Sequence, residues 1–199
     1  GRWRFQLAPG TPSGTETLPE TGLPESIQLP GTTDLAGFGQ PAPKTQYRPQ
    51  RPHAYTGPAW YQREVTIPGD WAGDHIELFL ERVHISSRLW VDDQFIGQAR
   101  SLSVPHVYDL TDYLTPGTHT LTLLIDNTLR WGITSGASSV SDDCQTNWNG
   151  VIGRMELRRY PPVWIKKLTP VLETDSEKIR IKMAFGSLRS EPVSGRVRV

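Results

Sequence analysis

Few residues in this chain are arranged to do chemistry of their own. Asp92-Asp93 and Asp142-Asp143 are the only adjacent acid pairs. Neighbouring side chains on a strand point to opposite faces, and a pair at a hairpin tip is fully hydrated. Neither pair is therefore arranged as two carboxyl groups about 5 Å apart with one raised pKa, the geometry that displacement by paired carboxylates requires. The five His are scattered, with no metal-ligand spacing. Cys144 has no second Cys to pair with, no Ser sits in a nucleophile-elbow setting, and no glycine-rich phosphate loop is present. No catalytic residue, metal site or cofactor is expected. What remains is one polar stretch, Leu129 to Asn149, LRWGITSGASSVSDDCQTNWN. Its Asp, Gln and Asn side chains can make paired hydrogen bonds to hydroxyl groups, and its two Trp offer flat apolar faces.

The elements on either side must position that stretch, and they read as β-strands. Tyr61, Arg63, Val65 and Ile67 alternate with Gln62, Glu64 and Thr66 before Pro68-Gly69. Ile76, Leu78 and Leu80 share one face of the next run. Leu89 and Val91 lead to a tight turn at Asp92-Asp93, and Phe95-Ile96 return. Pro116-Gly117 precedes a strand from Thr118 to Ile125 in which Leu121, Leu123 and Ile125 face one way. Short strands at regular spacing, with helical periodicity nearly absent, predict an all-β sandwich or jelly roll. Trp3-Phe5-Leu7 reads as an anchoring first strand. Pro9 to Pro58 reads as structureless, crossing the sandwich surface in extended form or supplying a functional loop. A boundary falls near Tyr160-Pro161-Pro162, which divides the chain into 1–162 and 163–199. The second part contains an alternating run, Ile179 to Phe185, and is too short to bury a core alone.

Bulk properties exclude some partners. Lys plus Arg equals Asp plus Glu at 21 each, which argues against a footprint for nucleic acid or an anionic membrane. No apolar run is long enough to span a bilayer as a helix. The chain opens on GRWRF and stops inside the alternating run GRVRV, so it reads as a piece of a longer protein. Most of the seven Trp are expected in the core and beneath loops.

An ordered set of blocks carries a family resemblance. GRWRF, IQLPGTTDL and AWYQREVTIPGDW come first. They are followed by VDDQFIG where the family has a hairpin around Asn-Gly, then by YDLTDYLTPG, LTLLIDN and NWNGVIGRMEL. Over Trp3 to Tyr160 the chain resembles the galactose-binding-domain-like jelly-roll sandwich that opens family 2 glycoside hydrolases. The resemblance implies that 163–199 starts an immunoglobulin-like sandwich. A (β/α)8 barrel with two catalytic glutamates would follow, beyond this chain. It also implies a retaining exo-β-glycosidase as the parent protein, a β-linked glycoside as its carbohydrate partner, and a 199-residue portion without hydrolytic activity of its own. Polysaccharide-degrading members are often periplasmic or extracellular, which is the only pointer to compartment.

In several family members the loop ahead of the last block reaches the barrel and lines the sugar subsite. By that resemblance the substrate-binding candidates are Asp143, Gln145, Asn147 and Trp148, with Trp131 and Arg100 as outer members. A structural alternative stands beside this: Trp148-Asn149-Gly150 can be a turn that packs an indole against the sandwich. Asp109 in YDLT reads as a side-chain cap on its turn, and His84 and His106 as hydrogen-bonded sandwich residues. At the level of the whole chain, an autonomous carbohydrate-binding module and a structural spacer remain alternatives, because fold alone does not fix function.

Overall fold

The computed structural model describes residues 1–10, 18–19, 22–42, 51–101, 103–129, 147–173 and 178–196. The strands, in chain order, are β1 (Arg2–Leu7), β2 (Glu25–Gln28), β3 (Gly31–Thr32), β4 (Gln40–Pro41), β5 (His53–Ala54), β6 (Pro58–Ile67), β7 (His75–Val83), β8 (Ser86–Val91), β9 (Gln94–Arg100), β10 (His106–Asp109), β11 (Gly117–Asp126), β12 (Gly150–Tyr160), β13 (Val163–Leu172) and β14 (Ile179–Ser187). One sheet has the order β2-β1-β6-β11-β8-β9 and the other β10-β7-β12-β3, with antiparallel pairing throughout. Two separate pairs, β4-β5 and β13-β14, complete the described structure. A single 3₁₀ turn, Gly69–Trp71, is the only helical element among the described residues.

The expected alternation places the core. Phe5, Tyr61, Leu123 and Leu89 stand opposite one another across β1, β6, β11 and β8, and all four are fully buried. The facing sheet contributes the rows Leu157-Leu78-Tyr108 and Met155-Leu80-His106. Period-2 strands with one apolar face here remove that face from water by stacking two sheets.

Two polar residues in those inward rows are tied across the sandwich. Ser87 on β8 places its hydroxyl 2.6 Å from His106 Nδ1 and 2.7 Å from the Tyr108 hydroxyl, and Tyr108 donates to the Ser87 carbonyl at 2.8 Å. Burial holds His106 at about 4, so the ring is neutral near pH 7 and the Nδ1–Ser87 hydroxyl contact is a neutral hydrogen bond.

The segment from Pro9 to Pro58 is more ordered than its composition predicts. β2 extends the six-stranded sheet by pairing with β1, and β3 adds an edge to the four-stranded sheet through Gly150 and Val151. Both strands are too short for a periodic signal, and β2 buries only Ile27. Part of the remainder does cross the surface: Leu18 and Leu23 pack with Trp60, Trp90 and Leu124. Those three lie on the outer face of the six-stranded sheet, so two of the Trp serve a second, smaller apolar cluster rather than the inter-sheet core. At the hairpin tip, Asp92 takes φ 55° and its carboxylate accepts from the Thr120 N–H at 2.8 Å. Asp109 caps its turn as expected, accepting from the Thr111 N–H at 3.0 Å.

The His106 linkage sets a pH dependence. Its folded pKa of about 4 lies below the ordinary 6.5, so the unfolded chain takes up the proton first as pH falls. This contribution to stability is complete above pH 6.5, declines from there to about 4 and amounts to at most about 3 kcal/mol. Urea unfolding at pH 7.5, 5.5 and 4 should show that decline, and a His106→Gln variant should show a correspondingly shallower one.

Candidate functional site

The candidate site is built at one end of the sandwich, where β11 hands the chain to the polar stretch and β12 takes it back. Asp126 ends β11 and accepts from both the Thr128 N–H (2.9 Å) and the Thr128 hydroxyl (2.6 Å), which turns the chain off the sheet. Three buried asparagines follow: Asn127, Asn147 and Asn149. Asn127 Nδ2 donates to Asn147 Oδ1 at 2.9 Å, so the two ends of the excursion are joined by one side-chain amide pair. The same Nδ2 donates to the Tyr55 carbonyl at 2.9 Å, and Asn127 Oδ1 accepts from the Gly57 N–H at 2.9 Å. Asn149 Nδ2 donates to the carbonyls of Gly57 (2.8 Å) and Ile125 (3.0 Å), and its Oδ1 accepts from the Tyr61 hydroxyl at 2.6 Å. Burial raises the Tyr61 phenol well above its ordinary value, which keeps it a neutral donor. Gly150 has φ +134°, and a Cβ there would meet the Gly31 carbonyl oxygen at 2.3 Å, so β12 can approach β3 only through glycine.

Of the sequence candidates, Asn147 lies in this amide cluster and is fully buried. Trp148 is half-buried, its ring centroid 5.4 Å from the His84 imidazole, and its main-chain N–H donates to His84 Nδ1 at 3.4 Å. Arg100 is exposed on β9, at the end of a row that runs Arg100, Ser86, Asp126, Pro58 across the sheet. These three therefore sit at the same end of the sandwich. Asp143, Gln145 and Trp131 lie outside the described residues. For Asn149 the structure settles the open alternative: its side chain is committed to the fold. Sequence reading passed over Asn127 and the carbonyls of Tyr55 and Gly57. The only available sign was the Asp-Asn pair closing LTLLIDN.

Asp92, from the acid pair at the hairpin tip, is bound into its turn. Asp92 is held below the usual carboxylate range: burial alone would raise it, but hydrogen bonds from the Thr120 N–H and His119 outweigh that. An ionised carboxylate clasped to a turn is no proton donor near neutrality. Among the described residues, no group of three or more His, Cys, Asp or Glu is placed to hold a metal ion, and no helix is long and apolar enough to cross a membrane.

Comparison with known proteins agrees with this architecture. Residues 1–161 match the family described as glycosyl hydrolases family 2, sugar binding domain. The β-galactosidase of Yersinia enterocolitica is 23% identical over 176 residues, covering 84% of this chain and 16% of that protein. The β-glucuronidase of Paenibacillus borealis is 24% identical over 132 residues, 66% of this chain and 21% of its own length. Among solved structures, a Ruminococcus gnavus β-glucuronidase superposes with TM-score 0.69 at 18% identity, over 94% of this chain and 32% of that one. The shared object is thus an all-β jelly-roll sandwich of the sugar-binding type. The chain belongs to glycosyl hydrolase family 2, and it spans about a fifth or less of the length of these curated relatives.

Replacing Asn149 by Ala would leave the Tyr61 hydroxyl and the Gly57 and Ile125 carbonyls without this buried partner. The expected loss is about 3 kcal/mol in urea unfolding, the range for orphaned buried polar groups. A Trp148→Ala change should cost clearly less, because that side chain is only half-buried.

Proposed function

We propose that this chain is the non-catalytic amino-terminal portion of a retaining exo-β-glycosidase. It braces the catalytic barrel and lends the loop between β11 and β12 to recognition of a β-linked sugar. The observation that carries this reading is the asparagine lock. Both ends of a polar excursion are fixed to the rigid end of a sandwich by buried amides, which is how a scaffold presents a binding loop without loosening itself. Asp143, Gln145 and Trp148 are the residues proposed to reach the sugar, with Trp131 and Arg100 as outer members, and Asn147, bonded to Asn127, anchors the end of the stretch. Hydrolysis is assigned to the barrel, and the 199-residue chain is expected to be inactive.

We also infer that 163–199 contributes the first strands of an immunoglobulin-like sandwich, with 1–162 as an independent unit. β13 and β14 pair only with each other among the described residues. Ile165-Phe185, Leu168-Met183 and Leu172-Ile179 are cross-strand pairs on one face. Five of these six are between 50% and 73% exposed, an apolar sheet face that calls for a covering layer. The hairpin meets the first sandwich through Trp164, whose ring stacks on His75 at 4.0 Å.

Two measurements test these readings. In the full-length enzyme, Asp143→Ala and Gln145→Ala should each lower kcat/KM on β-glycosides by about tenfold, the usual effect of a lost hydrogen bond to a charged or well-placed group. Unchanged kinetics would point to a pure spacer, and Trp148-dependent binding of neutral glycosides by the 199-residue chain would point to an autonomous module. A 1–162 chain should unfold in a single transition within a few degrees of the 199-residue chain, about the shift expected for loss of one ring contact. A collapse of that transition would place the boundary elsewhere.

A further inference from the structure

The joint between the first sandwich and the β13-β14 hairpin is built around an imidazole. Pro161-Pro162 links β12 to β13, and among the described residues the hairpin pairs only with itself. Trp164 carries it onto the sandwich. The indole lies nearly parallel to the His75 ring, with centroids 4.0 Å apart and planes 9° apart. Tyr160, the last residue of β12, closes the stack, 5.8 Å from His75 and 6.3 Å from Trp164. His75 is only 6% exposed, so the stack covers most of its ring.

The hydrogen bonds around His75 fix where its protons sit. The Thr111 hydroxyl is 2.6 Å from Asp109 Oδ1, and a carboxylate only accepts, so the single hydroxyl proton goes to Asp109. The Thr111 oxygen then accepts from the Ile76 N–H at 3.2 Å and from His75 Nδ1 at 2.8 Å. Nδ1 therefore carries the proton of the neutral ring, and Nε2 is bare. Nε2 stands 3.9 Å from Glu77 Oε2. The other Glu77 oxygen already accepts from the Tyr160 hydroxyl at 3.0 Å and from Arg158 at 3.4 Å. A second proton on the ring enters at Nε2, facing the Glu77 oxygen that those two bonds leave over.

Each element packed on the ring contributes to what that proton meets. β7 supplies the Glu77 carboxylate. Asp109, at the end of β10, lies 3.6 Å from Nδ1. β13 supplies the indole face, which attracts a cation through its quadrupole. Arg158 on β12 is the opposing cation, and it is bonded to both Glu77 and Glu156. Asp74 and Arg159, the sequence neighbours of His75 and Tyr160, are bonded to each other.

We propose that His75 is a proton-operated latch between the sandwich and the hairpin. With Nε2 bare, the imidazole and the indole are held together by neutral stacking. With Nε2 protonated from solvent, the same contact becomes a cation–π pair backed by Glu77, and the hairpin is clamped to the sandwich. Acid stiffens the joint and alkali frees it. The latch uses none of the residues assigned to sugar recognition, so its test and the kinetic test of Asp143 and Gln145 succeed or fail separately.

The test is amide hydrogen exchange of the 199-residue chain at pH 5 and pH 8, with each rate divided by the intrinsic rate at that pH. Protection of the β13 and β14 amides should be about fivefold higher at pH 5, the size of one cation–π contact of ordinary strength. The His106 linkage lowers the stability of the whole sandwich over the same range, so a rise in the hairpin cannot come from global unfolding. His75→Gln should abolish the difference. Trp164→Leu leaves the His75 hydrogen bonds in place, and it should lower protection at both pH values and remove most of the difference. Circular dichroism at both pH values establishes that the variants are folded. Protection that is equal at the two pH values, or lower at pH 5, would overturn the proposal. So would a His75→Gln or Trp164→Leu chain that keeps the full difference, because the responding group would then lie elsewhere.

Discussion

The structure depends most on a constraint of buried polarity at the end of β11. A strand that leaves a sandwich and returns to it must break its ladder in both places. The main-chain groups released there would be costly if left dry and unpaired. Asn127 and Asn149 meet that demand with side chains. Their amides take up the Tyr55, Gly57 and Ile125 carbonyls and the Gly57 N–H, while Tyr61 reaches out of the core row to complete the set. The same groups therefore satisfy the backbone and join segments as far apart in sequence as Gly57 and Asn149. Whatever the intervening residues touch, their two ends are fixed to the sheet that carries the core.

The Ser87-His106-Tyr108 cluster solves a related problem between the sheets. An imidazole and a phenol on inward-facing positions of β10 would be desolvated with nothing to bond, had β8 offered an apolar residue there. Ser87 instead gives its hydroxyl and its own carbonyl to the pair. Such a network fixes one relative placement of the two sheets where apolar contacts alone would allow sliding, and among its atoms only His106 Nε2 is buried without a hydrogen-bond partner. Both polar clusters sit among fully buried neighbours.

Much of the fold was legible because period-2 alternation is a local property. β6, β7, β8, β11 and β14 each carry enough alternating apolar residues to declare a strand and its buried face, and Pro-Gly and Asp-Asp mark their ends. β2 and β3 were not legible. A strand of four residues or two shows no period, and its existence depends on an edge offered by β1 or β12. The candidate site was legible only in outline. Its polarity and its place between strands can be read from composition. Whether an Asn turns to solvent or inward cannot, because Asn147 and Asn149 find their partners 20 and 92 residues away. The same letter serves a sugar hydroxyl or a buried carbonyl, and only the tertiary contact decides.

That ambiguity bears on how binding groups are distributed over a sandwich. Residues that close a loop onto the sheet must be buried and fully bonded, so they cannot also meet a ligand. Asn149 has spent both its Nδ2 protons and its Oδ1 on the fold. Recognition must fall to side chains displaced from the lock by at least a residue or two, as Trp148 is, or to surfaces where the sheet itself leaves groups unclaimed. In this fold, then, a buried amide bonded at every atom belongs to the scaffold, and a ligand has to be met by its neighbours.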